Sequence, residues 1–275
     1  MEMIPSFFPG GSGPLFGVRH PAGGARHPPG RGDGPRRGAV LCQPLGPEYV
    51  RTHRAFRHLA IQLANRGIEV LRFDYYGSGD SAGAATEASL ERWVGDVCTA
   101  AAELRRTGPV EEIVMVGLRL GAALALAAAP RLLDVTAVVL WEPVDAGGEH
   151  LAELRDSQAR WEQRKAWFDS RWAGTVWSGP EDLLGFPATP EFVEELRTFK
   201  AWAGVAGGVR RALLVEGEGR EGTLRLRESL AGAGIDVRHE VVPDARVWNV
   251  LERTSALIPR ATLDRVIHWC SPEEA

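Results

Sequence analysis

Short runs in which nearly every residue is apolar recur along the chain. Between them lie stretches in which apolar residues return every three or four positions. The short runs are Leu15–His20, Gly38–Cys42, Glu69–Phe73, Glu112–Val116, Ala137–Trp141, Ala212–Glu216 and Asp236–Val242, and they predict strands. The longer periodic stretches Thr52–Arg66, Glu87–Arg106, Ala122–Ala129, Leu224–Gly232 and Ala261–Trp269 predict helices. Strand and helix alternate, and the strands do not alternate apolar with polar residues. That pattern predicts a mostly parallel, doubly wound α/β sheet covered by helices on both faces.

The rhythm fails twice. Residues 21–37 are rich in Gly, Pro and Arg and predict an exposed connection rather than a core element. Residues 147–204 hold Trp161, Trp167, Trp172, Trp177 and Trp202, five of the nine tryptophans, in helical and loop-like sequence. An insertion of this length inside an α/β sheet predicts a helical lid. The expected organisation is therefore an N-terminal strand and loop at 1–37, a core at 38–146 and 205–275, and a Trp-rich helical lid at 147–204.

Composition narrows the partners. A chain of 275 residues with 44% hydrophobic residues is ample for a buried core. The net charge of −4 points away from nucleic acid. No apolar run has the length of a membrane span, and the N-terminus lacks a signal-peptide pattern. The three cysteines, Cys42, Cys98 and Cys270, are widely spaced and form no metal or redox pair, so a reduced, cytoplasmic protein without metal or cofactor is expected.

The most informative motif is Gly117-Leu-Arg-Leu-Gly121, between a strand and an Ala-rich helix. Strand, Gly-flanked turn and helix are the setting of a nucleophile elbow, Gly-x-Ser-x-Gly. Arg119 stands where the serine belongs, and a guanidinium has no lone pair with which to attack a carbonyl. The chain resembles the α/β-hydrolase superfamily, and within it the serine-aminopeptidase-like and exosortase-A-associated branch. The resemblance rests on this elbow, on Leu41-Cys-Gln-Pro-Leu-Gly-Pro-Glu-Tyr49, on Leu71-Arg-Phe-Asp-Tyr-Tyr-Gly-Ser-Gly-Asp-Ser-Ala-Gly83 and on Leu140-Trp-Glu-Pro143. It implies an α/β-hydrolase fold with a cap.

It also implies where the rest of a triad should stand. The acid's place reads Gly217-Glu-Gly-Arg220, and Glu218 or Glu216 supplies a carboxylate only through a register shift. The histidine's place falls near Arg246 or Val247, with no histidine nearby. Serine, base and acid act as one unit, so the loss of all three excludes a Ser-His-Asp reaction. Ser78 and Ser81 are turn residues in this reading, not displaced nucleophiles.

What remains of the machinery is its anion-binding part. The Leu120 amide opens a helix, and helix N-termini favour negative charge. The resemblance places a second donor near Gln43 or Leu45. Arg119 projects from the same turn and either grips an anionic ligand or forms an internal pair with Glu142. Trp167 and Trp172 either cover that ligand or pack the lid on the core. Cys42, Glu48, His53 and Asp74 lie near strand ends, where α/β sites form, but make no recognisable acid–base pair.

Two functions follow. One is a non-hydrolytic pseudo-hydrolase that binds a small anionic or acyl-type ligand, or a partner protein, including a second copy of itself. The other is an enzyme of a biosynthetic pathway that uses the pocket, oxyanion hole and Arg119 for elimination, cyclisation, rearrangement or acyl transfer without a covalent serine.

Overall fold

A computed structural model describes residues 2–23, 36–168, 182–202, 204, 207–252 and 258–271, without the side chains of 164–168 and 182. Most of the expected 21–37 connection lies outside the described residues. In chain order the strands before the elbow are β1 (Ile4–Phe8), β2 (Leu15–His20), β3 (Arg37–Cys42) and β4 (Glu69–Phe73). Helix α1 (Gly46–Asn65) joins β3 to β4, and α2 (Leu90–Thr107) follows β4. The elbow lies between β5 (Glu112–Leu118) and α3 (Leu120–Ala128), and β6 (Val135–Trp141) comes next.

Between β6 and the next sheet strand lie α4 (Gly147–Phe168), the two-residue strands β7 (Asp182–Leu183) and β8 (Phe186–Pro187), and α5 (Pro190–Thr198). The chain then returns to the sheet with β9 (Arg211–Glu216), α6 (Glu221–Gly232), β10 (Asp236–Val241) and α7 (Arg260–Cys270).

Eight strands form one sheet in the order β1-β2-β4-β3-β5-β6-β9-β10. Pairing is parallel from β4 to β10 and antiparallel at β1–β2 and β2–β4. The mixed edge follows from the N-terminal hairpin. β1 is not signalled by the apolar pattern because it is an edge strand with three exposed residues in sequence, including Pro5. Proline suits an edge, where a missing N–H leaves no ladder bond broken. Helix α1 starts at Gly46, six residues before the expected Thr52, because Pro47 occupies its first turn and needs no N–H partner there.

Alternate residues of each central strand supply two separate cores. Val40, Met115 and Leu140 pack on one face with α2 and α3 residues. Ala39, Leu41, Val116 and Val139 pack on the other with α1 and α7. Helix α3 is buried at eight of its nine residues, which accounts for its apolar character all round. Its alanines let it lie close to β5, and this is what brings the elbow to the middle of the sheet's C-terminal end.

Candidate functional site

The elbow has the backbone that its glycines foretell. A Cβ on Gly117 would collide with the backbone of Ala122, and one on Gly121 with the carbonyl oxygens of Cys42 and Gln43. Both glycines are therefore required by close packing of strand, turn and helix. Arg119 between them has φ 55° and ψ −122°, a conformation that side-chain-bearing residues rarely adopt. Its amide donates to the carbonyl of Trp141 on β6, which pins the turn to the neighbouring strand.

Among the described residues the Arg119 side chain is the largest one fully enclosed by the protein, with 1% of its surface exposed. Its Nε donates to Glu48 Oε1 at 3.3 Å. Its Nη2 meets Glu153 Oε2 and lies 3.2 Å from His150 Nδ1. The guanidinium also stacks over the Trp248 ring, 4.2 Å from the centroid. Burial works against the guanidinium's charge, but Glu48, Glu153 and Glu142 more than offset it and keep Arg119 firmly protonated. Burial also acts to raise the Glu153 carboxyl; the His150 hydrogen bond and the Arg119 charge outweigh that and bring it down to about 2.

Four segments meet here: the elbow, the first turn of α1 (Glu48), the first two turns of α4 (His150 and Glu153) and the segment after β10 (Trp248). Glu48 was singled out by its place at a strand end, although its partner was not. His150, Glu153 and Trp248 were missed. The legible signal for the first two is their i,i+3 spacing, which puts them on one face of α4. For Trp248 it is adjacency to Val247.

Of the two alternatives for Arg119, the internal ion pair with Glu142 is not formed. Glu142 turns instead to Arg220, whose Nη2 lies 3.1 Å from Glu142 Oε2, and it accepts the Gly217 amide at 2.8 Å. The reason is local: Glu142 itself has φ 46°, and its amide is held by the Val215 carbonyl of β9, so its side chain joins the β9 end of the sheet. Burial pushes the Glu142 carboxyl up, against the opposing charge of Arg220. Arg220 bridges Glu142 and Glu216, and Glu216 is completed by Thr223 Oγ1 at 2.7 Å and His239 Nε2 at 2.8 Å. Val247 is buried in the core beneath α1 and α7. The three positions at which the resemblance expects a triad thus hold two paired arginines and a packed valine.

Leu120 opens α3 beside Arg119 and is wholly buried. Gln43 and Leu45, near which the resemblance places a second donor, do not line the Arg119 cavity. Gln43 uses its side-chain amide nitrogen on the Phe73 carbonyl and on Asp74. Leu45 caps α1 and lines a separate apolar cavity of about 290 Å³ with Tyr49, Trp93, Phe186 and Phe192. The side chain of Trp167 and the whole of Trp172 lie outside the described residues. Ser81 and Asp74 are turn residues: Ser81 Oγ donates to the Asp74 carbonyl at 2.6 Å, and Asp74 accepts from Tyr49 and from the Asp80 amide.

A cavity of about 250 Å³ adjoins Arg119 and is lined by Glu48, Glu142, Arg220, Trp248 and, from α4, Glu153 and Leu154. A second space of about 60 Å³ lies between Arg119, His150 and Arg220. Among the described residues no group of side chains fits a metal ion, and no helix is long and apolar enough to cross a membrane.

A family model described as serine aminopeptidase, S33, matches residues 49–185. No curated protein sequence matches the chain. Among solved structures, an esterase of Pyrococcus furiosus superposes with a TM-score of 0.67 at 15% identity, covering 98% of this chain and 89% of its own. A hypothetical protein from Pseudomonas aeruginosa gives 0.64 at 17% identity, with 98% and 92% covered. Est1E of Butyrivibrio proteoclasticus with ferulic acid bound gives 0.60 at 14% identity, with 96% and 95% covered.

Proposed function

We propose that the chain is a non-hydrolytic member of the α/β-hydrolase superfamily that binds a small ligand between elbow and cap, a reading supported by the partial family-model match and the shared fold together with Arg119 at the elbow. One observation carries this reading. The nucleophile's place is filled by a buried guanidinium that Glu48, Glu153 and Trp248 hold in position. A permanently charged donor locked by two carboxylates cannot act as a nucleophile or take a proton from one. The elbow serves instead as an ionic clasp that ties α4 of the cap to the core.

The cavity beside the clasp supports ligand binding rather than a filled, purely structural elbow. Arg119's charge is already met by Glu48 and Glu153, which argues against a simple anion site at its tip. The reading is tested with a fluorophosphonate probe and a panel of carboxylic esters. No labelling and no turnover are expected; stoichiometric labelling at any serine overturns it.

A second reading, an enzyme without a covalent step, is favoured by Glu142. This carboxyl borders the cavity on a left-handed backbone, and burial pushes it up toward an acid–base role. Turnover of an ester or thioester that survives mutation of every serine near the cavity would select this reading over the first.

A further inference from the structure

Three of the residues that line the 250 Å³ cavity hold a buried polar atom with no partner among the described residues: Glu48 Oε2, Arg119 Nη1 and Trp248 Nε1. Glu48 is 4% exposed and Arg119 1%, so neither of their atoms is bathed in bulk water. Their other polar atoms are engaged: Glu48 Oε1 takes the Arg119 Nε hydrogen, and Arg119 Nη2 meets Glu153 and His150. Buried polar groups are ordinarily satisfied, and leaving a charged one bare is costly. Glu48 Oε2 is an acceptor that wants an N–H, while Arg119 Nη1 and Trp248 Nε1 are donors that want an oxygen. A single small molecule that presents an N–H beside an oxygen would satisfy the acceptor and a donor together.

The charge of the lining decides which molecule. Among the described residues the cavity is bordered by five carboxylates and four guanidiniums, and both signs are interleaved. A net anion would face the carboxylates, and a net cation the arginines. The wall also has an apolar part, with Leu154 and Leu184 from the cap and Val250 and Leu251 from the segment after β10. The volume lies at the low end of ligand pockets. We propose that the cavity binds a small, overall neutral molecule with an N–H donor next to a carbonyl or carboxylate oxygen and a short apolar tail, that is, an aliphatic amino acid or the matching carboxamide. The N–H group pairs with Glu48 and the oxygen with Arg119. This rests on the reading of the elbow as a non-hydrolytic binding site.

Four probes of one skeleton separate the alternatives by calorimetry on the full chain: L-leucine, 4-methylpentanamide, 4-methylpentanoate and 3-methylbutylamine. At least one of the first two should bind ~10-fold or more tightly than both singly charged probes, as expected for one charged hydrogen bond. The Glu48→Gln variant should erase that preference while its circular dichroism matches the wild type. If only leucine binds, the donor is an ammonium; if the amide binds equally, a neutral N–H suffices. Either result supports the proposal. Equal or tighter binding of 4-methylpentanoate, binding of none at millimolar concentration, or an unchanged preference in Glu48→Gln would each overturn it. Such a failure leaves the fluorophosphonate result untouched, so loss of this inference and loss of the non-hydrolytic reading are told apart.

Discussion

If Arg119 is a clasp, removing it should harm stability through the carboxylate it leaves behind. Arg119→Met keeps much of the volume and can still lie on the Trp248 ring, but it strips Glu48 of its counter-charge. Glu48 has 5% of its side chain exposed, so the stranded carboxylate is buried. Breaking a buried pair by removing one partner costs about 3–5 kcal/mol. Glu153 is half exposed, and its release adds at most ~1 kcal/mol. The expected loss is therefore about 4 kcal/mol, read as a shift in the denaturant midpoint by circular dichroism. Adding Glu48→Gln removes the stranded charge, so the double variant should regain roughly 2 kcal/mol despite carrying one more substitution. That sign is the informative part, because loss of packing alone would make the double variant worse. A single variant within ~1 kcal/mol of the wild type, or a double variant as unstable as the sum of its singles, would refute the clasp.

Other outcomes follow from neighbouring groups. His20 is buried and brought down to about 4, first by burial and then by the charges of Arg72 and Arg57. Arg72 Nε donates to its neutral ring at 3.1 Å. The unfolded state therefore binds this proton first, and stability should fall by up to ~3 kcal/mol as pH drops from 6.5 to about 4; a His20→Gln variant with the same slope would contradict this. The Glu153 carboxyl sits at about 2, below its unfolded value of 4.5, so its contribution is present above pH 4.5 and lost as pH falls toward 2. Glu153→Gln should flatten the stability–pH curve in that window and nowhere else. Gly79 has φ 55° and its Cβ would strike the Asp74 carboxylate. Gly79→Ala should cost about 2 kcal/mol in chemical denaturation, and a neutral effect would show that the turn can shift.

The sheet was legible because its central strands are buried on both faces, which writes unbroken apolar runs such as Ile113–Leu118 into the chain. The edge strand β1 was not, since three of its five residues face solvent and carry no such run. The elbow was legible for a different reason: Gly117 and Gly121 are demanded by backbone contacts within a few residues and by the strand next door. Arg119's partners were illegible because they are distant in sequence. Glu48 is 71 residues away and Glu153 is 34 away, and they reach Arg119 only because the fold brings the first turns of α1 and α4 to the elbow. Glu142, closer along the sheet, was the natural guess. Its left-handed backbone turns it to Arg220, and nothing local in Trp141-Glu-Pro-Val144 announces that conformation.

If the chain is non-hydrolytic as proposed, building a hydrolase on this elbow should take more than one change. Arg119→Ser returns a hydroxyl to the strained turn, but His150 is placed for the tip of the arginine, at the far end of a long side chain, and not for an atom next to Cβ. Trp248 covers the guanidinium beside the place where the resemblance puts the base, and Val247 is packed in the core. The acid's place is taken by Arg220, already divided between Glu142 and Glu216. The serine variant would also leave Glu48 buried without its counter-charge, so it should be both inert toward esters and less stable. Each arginine at a triad place is held by carboxylates that would be destabilising without it. Charge and counter-charge thus form one unit, as serine, base and acid do in a hydrolase. On the proposed reading, stepwise replacement passes through a variant with a stranded buried charge, so single substitutions at the elbow should lower stability before they add any hydrolytic activity.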